Sequence, residues 1–285
     1  MAMVNLGCGR RYHPDWVNID IVSSGPGVIA HDITTGIPLA NESCRVVYHA
    51  HVLEHLRANE AFAFVRDCYR VLGPGGVIRV AVPDLERICR TYLDKLGLAL
   101  DGDADAVHEY DWIMLEMYDQ TVREQSGGQM LAYLRQTPLP CEAFVYDRIG
   151  EEGRELVTVL RDTSCVSTKP SPPPTRPLDL PRSLYRQLRL WPAHMRAHLV
   201  ARWLGESGMR ALAIGRFRLS GEVHHWMYDR YSLARLLTEA GFVSPSVQTA
   251  ITSSIPGWTT YNLDTTTEGR INKPDSLFME ATKPS

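Results

Sequence analysis

The chain has 285 residues, 44% of them hydrophobic and 22% charged, which suits one large globular domain or a domain with a cap. A net charge of −3 argues against a general nucleic-acid binder, and no apolar run reaches the roughly 18 residues that span a membrane. Six cysteines are scattered without a Cys-x-x-Cys pair, so neither a cysteine zinc site nor a disulfide framework is expected, and the usage suits a cytoplasmic protein. No signal peptide is expected, because strand-forming residues begin almost at Met1.

The first element is a short buried strand through Val4 and Leu6 that runs into the turn Gly7-Cys8-Gly9. Two glycines one residue apart let the chain turn without Cβ atoms and leave backbone N–H groups free to face a ligand. Trp16–Ile21 reads as a second strand ending on Asp20, Gly27–Ala30 as a third followed by His31-Asp32-Ile33, and Arg45–His49 as a fourth followed by Ala50-His51. A helix is predicted from about Asn59 to Leu72, stopped by Gly73-Pro74-Gly75-Gly76, with a fifth strand over Val77–Val82 and a helix opened by Pro83-Asp84. This alternation predicts a parallel sheet covered on both faces.

The rhythm stops between about residues 95 and 221. An acidic run from Asp101 to Asp111 leads into apolar helical material, and Lys169–Pro174 reads as an extended linker. Residues 182–218 hold eight arginines against the single acid Glu206, interleaved with Leu, Trp and Met. Ser126-Gly127-Gly128 and Gly205-Glu206-Ser207-Gly208 read as loops. The sheet pattern then returns: Asp229 caps a helix to Ala240, and Val243–Ile251 and Ser276–Ala281 form the antiparallel closing pair of a seven-stranded sheet.

Gly7-x-Gly9, Asp20 and Asp32 thus stand at the ends of the first three strands, where open α/β sheets bind ligands. An acid ending the second strand is placed to accept the hydroxyls of a ribose, and Asp32 with Ile33 suits the edge and face of an adenine. The bland alternative is that both aspartates are caps or loop residues. An NAD site is disfavoured, because Tyr12 occupies the third glycine position of its fingerprint and Asp20 comes too soon.

Leu6-Gly7-Cys8-Gly9, Asp20, Asp32-Ile33, His51-Val52-Leu53-Glu54-His55-Leu56 and Arg70-Val71-Leu72-Gly73-Pro74-Gly75-Gly76 together resemble the class I S-adenosylmethionine (SAM)-dependent methyltransferases, in the type 11-like group. The resemblance covers residues 3–94 and 222–283 and implies a Rossmann-like, seven-stranded, mostly parallel α/β sheet with helices on both faces. Residues 1–94 and 222–285 would form that SAM-binding domain, and 95–221 a mainly helical lid inserted before the last helix and two strands. It implies SAM as cofactor, with Gly7, Cys8 and Gly9 under the methionine and ribose, Asp20 on the ribose hydroxyls, Asp32 and Ile33 at adenine, and Ala50 and His51 beside the sulfonium. The chain departs from the family pattern at Asn5, where many members carry an acid, and in a first helix cut short at Arg10-Arg11. Arg10 or Arg11 then becomes the candidate for the methionine carboxylate.

Methyl transfer to a hydroxyl benefits from a base. His224 stands where related enzymes often carry a histidine, with His51 at the fourth strand as its rival and a packed or capping histidine as the bland reading. His225, Trp226 and Tyr228 are candidates for acceptor binding, and Trp258 adds a further aromatic for stacking. Spacing along the chain marks no metal site, and none is expected. The function expected is O-methylation of a polar, sugar-like small molecule. The alternatives are an aromatic or lipid-linked acceptor, or a SAM-binding scaffold without transfer. The arginine-rich stretch reads as a solvated cap, an anionic-lipid surface or a site for an anionic acceptor. RNA is disfavoured as a partner, and a homodimer is compatible with the sequence.

Overall fold

The computed structural model describes residues 1–162 and 193–285. Its centre is a seven-stranded sheet in the order β3-β2-β1-β4-β5-β7-β6. The strands are β1 (Ala2–Leu6), β2 (Val17–Asp20), β3 (Val28–Ala30), β4 (Cys44–Ala50), β5 (Leu72–Pro83), β6 (Val243–Gln248) and β7 (Ser276–Thr282). The first five pair in parallel, and β7 runs antiparallel between β5 and β6. The expected fold and closing pair are therefore present. The Gly73–Gly76 segment differs from expectation: it lies within β5, and the pairing jumps from Cys44↔Leu72 to Val46↔Val77. The glycines form an irregularity in the strand instead of a loop before it.

Period-2 alternation sorts the strand residues onto two faces. Val4, Leu6, Val47, Ile78, Val80 and Met279 face a core closed by α1 (Ala58–Val71) and α7 (Arg230–Glu239). Asp229 caps α7 as predicted, accepting hydrogen bonds from the N–H groups of Tyr231 and Ser232.

Met3, Val46 and Tyr48 face the other way, against Trp16, Ile255, Trp258 and Leu263. No helix connects β1 to β2 or β2 to β3. The surface that crossover helices would cover is instead packed by rings from the loop after β6, so Trp258 is a core residue and does not reach a ligand cleft.

A fully buried guanidinium organises this second face. Arg79 on β5 donates to Asp264 at 3.0 and 2.8 Å, to Glu280 on β7 at 2.7 Å, and to the carbonyls of Thr252 and Thr249. Its guanidinium lies 4.4 Å from the centroid of Trp258, and Tyr48 donates a 2.6 Å hydrogen bond to Asp264.

Helices α2 (Leu85–Leu100), α3 (Ala104–Val122), α4 (Gly128–Leu134) and α5 (Glu142–Asp162) follow β5, and α6 (Ala193–Arg218) precedes the return to the sheet. Residues of α3 to α5 build a separate apolar cluster around Trp112, Leu134, Val145 and Val157. The Gly205–Gly208 segment, expected as a loop, lies inside α6 at a kink where Gly205 has φ 64°. The Lys169–Pro174 linker and the arginines at 182, 186 and 189 fall outside the described residues. Among the described residues no helix is long and apolar enough to cross a membrane.

Arg79→Met leaves Asp264 and Glu280 buried without their cation, and it is expected to destabilise the fold by about 3–5 kcal/mol in urea unfolding. A loss below about 1 kcal/mol would show that water reaches those carboxylates.

Candidate active site

The loop after β1 is shaped by where it cannot hold a side chain. Gly7 has φ 66°, and a Cβ built on it would lie 2.5 Å from Cγ2 of Val52 in the loop after β4. Its N–H donates to the Ile19 carbonyl at 2.8 Å, which fastens the loop to β2. A Cβ on Gly9 would meet nothing within 4 Å, so the backbone there is open to a ligand. Asn5, the position departing from the family pattern, is buried and donates to the Arg11 carbonyl at 3.0 Å. That bond folds back the short segment that replaces a first helix. Burial, aided by the nearby Asp20 charge, pushes the Cys8 thiol up to about 11, so it stays protonated near neutral pH.

The cleft beside this loop has a volume of about 1010 Å³ and lies at the carboxyl ends of β1, β4 and β5. Gly7, Cys8, Gly9, Arg11, Ala50 and His51 line it, as does His224 from the return segment. Asp20, Asp32 and Ile33 lie outside its walls. One oxygen of Asp20 accepts the Gly9 N–H at 2.8 Å, and Asp32 caps a short 3-10 turn by accepting the Thr34 N–H and hydroxyl. Ile33 packs against the main core. Of the segment proposed to bind the acceptor, His224 and Met227 line the cleft, while His225 lies outside its walls with its N–H on the Glu54 carbonyl, Trp226 is 54% exposed and Tyr228 is buried in the core.

His51 takes the left-handed conformation (φ 54°) directly after β4. Its Nε2 is 2.8 Å from Ser276 Oγ and its Nδ1 is 3.0 Å from Glu54 Oε1. Burial holds the imidazole well below its ordinary pKa, with the Lys273 charge acting the same way. His224 packs edge to face on His55 at 4.7 Å, and burial pulls its pKa down to about 3.

The lid meets the cleft through charges. Arg11 pairs with Glu155 at 3.3 Å and Glu152 at 3.7 Å on α5, and Glu152 also pairs with Lys273 at 3.4 Å. At the α5 kink Gly150 has φ 64°, and a Cβ there would collide with Pro274 and with the carbonyls of Ile271 and Asn272. Glu151 and Glu152 donate their N–H groups to those two carbonyls.

Sequence reasoning passed over Glu116, Arg148 and Asp275. Buried Arg148 holds Glu116 through Nε at 3.0 and 3.1 Å, and burial next to Glu116 raises the Asp275 carboxyl to about 6. The available signal was Glu116 one helical turn after Trp112 on an apolar face, where its Oε1 accepts the indole N–H at 2.5 Å.

A family model described as a methyltransferase domain matches residues 7–80, which spans the glycine loop, β2 to β4, α1 and most of β5. Residues 7–80 are thus identified as a class I SAM-dependent methyltransferase domain. No curated protein matches this methyltransferase in sequence. Among solved structures it is similar to a SAM-dependent methyltransferase from Thermotoga maritima, titled a possible histamine N-methyltransferase. The identity is 11% over 99% of this chain and 82% of that one, with a TM-score of 0.38. A SAM-dependent methyltransferase from Archaeoglobus fulgidus is 10% identical over 99% of this chain and 85% of its own, with a TM-score of 0.37. Likeness at that level says nothing of acceptor or mechanism.

SAM is the cofactor of this methyltransferase. The open backbone at Gly9 and the cleft walls at Gly7, Ala50 and His51 fit such a ligand. Gly7→Ala would strain a left-handed residue by about 1–2 kcal/mol and press on Val52. The variant is expected to lose the thermal stabilisation that S-adenosylhomocysteine gives the parent protein. Full retention of that shift would show that the loop can move away from Val52.

Proposed function

We propose that this methyltransferase O-methylates a polar, sugar-like small molecule, with His51 as the group that takes the acceptor's proton. The observation that carries the reading is His51 itself. It lines the cleft at the end of β4, beside the glycine loop, with its ring held at Ser276 and next to Glu54. Bound SAM supplies an electrophilic methyl carbon and leaves as a neutral thioether.

The chain's own residues do the rest. Gly7, Cys8 and Gly9 support the methionine and ribose, and Arg11 on the cleft wall takes the carboxylate. Asp20 accepts the ribose hydroxyls while one of its oxygens braces Gly9. The adenine would extend past the cleft walls toward Asp32 and Ile33. The imidazole of His51 is uncharged at neutral pH because of its burial, so its ring nitrogen can accept the hydroxyl proton as the C–O bond forms. His224 fits this role less well than His51, since its ring is packed edge to face on His55. Polar groups around an apolar wall, with Met227 and Leu131 beside Gln120, suit an acceptor with hydroxyl edges.

Transfer of labelled methyl from SAM into a small-molecule extract tests the reading, and label appearing only in protein or RNA fractions would overturn it. His51→Ala is expected to lower kcat about a hundred- to ten-thousand-fold with little change in the cofactor KM. Equal, small losses in His51→Ala and His225→Ala would remove His51 from proton transfer. Asp20→Ala is expected to weaken S-adenosylhomocysteine binding by about 1.5–3 kcal/mol in calorimetry. Unchanged affinity in the folded variant would take Asp20 out of the cofactor site.

A further inference from the structure

Glu54 is completely buried, yet neither oxygen of its carboxylate has a hydrogen-bond partner. His51 Nδ1 comes within 3.0 Å of one oxygen without the alignment of a hydrogen bond. No lysine or arginine among the described residues pairs with this carboxylate; His51 is its one ion-pair neighbour. A buried carboxylate is stable only when a cation or several donors compensate it. Something is missing from its surroundings.

What surrounds it is a donor set. One oxygen of Glu54 and one ring nitrogen each of His55 and His224 lie within 4.8 Å of one another. The Nδ1 atom of His55 is likewise buried without a partner. The backbone locks the set together: the Glu54 carbonyl accepts the N–H groups of His225 at 2.6 Å and Trp226 at 3.3 Å, and the His224 N–H donates to Gln120 at 3.0 Å. All three side chains line the cleft.

We propose that Glu54, His55 and His224 bind one zinc-type divalent transition-metal ion whose open coordination position faces the cleft and takes an oxygen of the methyl acceptor. Two histidines and one carboxylate with a fourth position left open is the donor set of catalytic zinc, and imidazole selects zinc or cobalt over magnesium and calcium. Bonds of about 2.0–2.2 Å place ligand atoms roughly 3.4 Å apart, so the three side chains need to close by little more than an ångström. The role of the ion in holding the acceptor rests on the methyl-transfer reading above; the metal site itself does not.

The test uses the full chain, freed of any affinity tag and stripped of metal by chelator. Zinc is titrated against a chromophoric chelator, and cobalt is titrated while its visible ligand-field bands are read. One zinc per chain and a tetrahedral cobalt spectrum are expected. Glu54→Gln and His224→Asn should each weaken zinc binding by more than about a hundredfold, beyond the roughly ten- to hundredfold cost of losing a residue that only supports a ligand. His225→Ala and Cys8→Ser should bind as the parent does. Retained stabilisation by S-adenosylhomocysteine shows that a variant is folded, and His55→Asn replaces any that is not. Absence of zinc binding, or equal affinity in the folded ligand variants, would overturn the site. Zinc binding with methyl transfer unchanged by chelation would overturn the acceptor role.

Discussion

The cleft depends on the close approach of Gly7 to Val52. Two loops meet at the point where the chain leaves β1 on one side for β2 and on the other, through β3, for β4. Ligands gather at such switch points because the loops diverge there and leave a gap over the strand ends. Here the gap is set by one missing side chain, since a Cβ at position 7 would lie 2.5 Å from Val52. The contact joins the glycine loop to the loop after β4, where the short turn Leu53–His55 carries Glu54 and His55 and follows His51. The cofactor loop and the polar groups of the cleft are thus placed by one van der Waals constraint.

The N-terminal half of the sheet is economical. Its first two crossovers carry no helix, and a parallel sheet needs both faces covered. The cover comes from far along the chain, in Ile255, Trp258, Tyr261 and Leu263, with Arg79 stacked under Trp258 and joined to Asp264 and Glu280. Charge inside this layer is tolerable because each carboxylate has several donors: Glu280 also accepts from Ser253 and from the backbone and hydroxyl of Ser254. The contrast with Glu54, equally buried and lacking donors, shows that burial of carboxylates is otherwise well managed in this protein.

The lid is attached differently. Its helices keep their own apolar cluster, and they meet the cleft through Arg11, Glu152, Glu155 and Lys273, and through backbone bonds at the Gly150 kink. Ion pairs between partly exposed groups are weak and screened by salt, while the backbone bonds are directional. Such an attachment fixes where the lid sits and leaves the charges at the cleft mouth able to exchange partners with an anionic or hydroxylated ligand.

Much of this was legible in the sequence, because it is written in local chemistry. Strand periodicity, the Gly7-Cys8-Gly9 turn, the Asp229 cap and the closing strands all depend on neighbours a few residues apart, and together they determined the fold class and the cofactor. Local reading went astray where longer-range pairing prevails. The Gly73–Gly76 segment is drawn into β5 by Cys44, and Gly205–Gly208 lies within a helix. Trp258, a stacking residue by type, is taken into the core by Arg79. Only the tertiary structure decided which polar groups share the cleft. Glu54 and His55 are adjacent in sequence, but His224 reaches them across the whole lid, through backbone hydrogen bonds between the loop after β4 and the return segment. Spacing along the chain carries no record of that meeting, because the distance between two residues in a fold is set by the elements that pack between them.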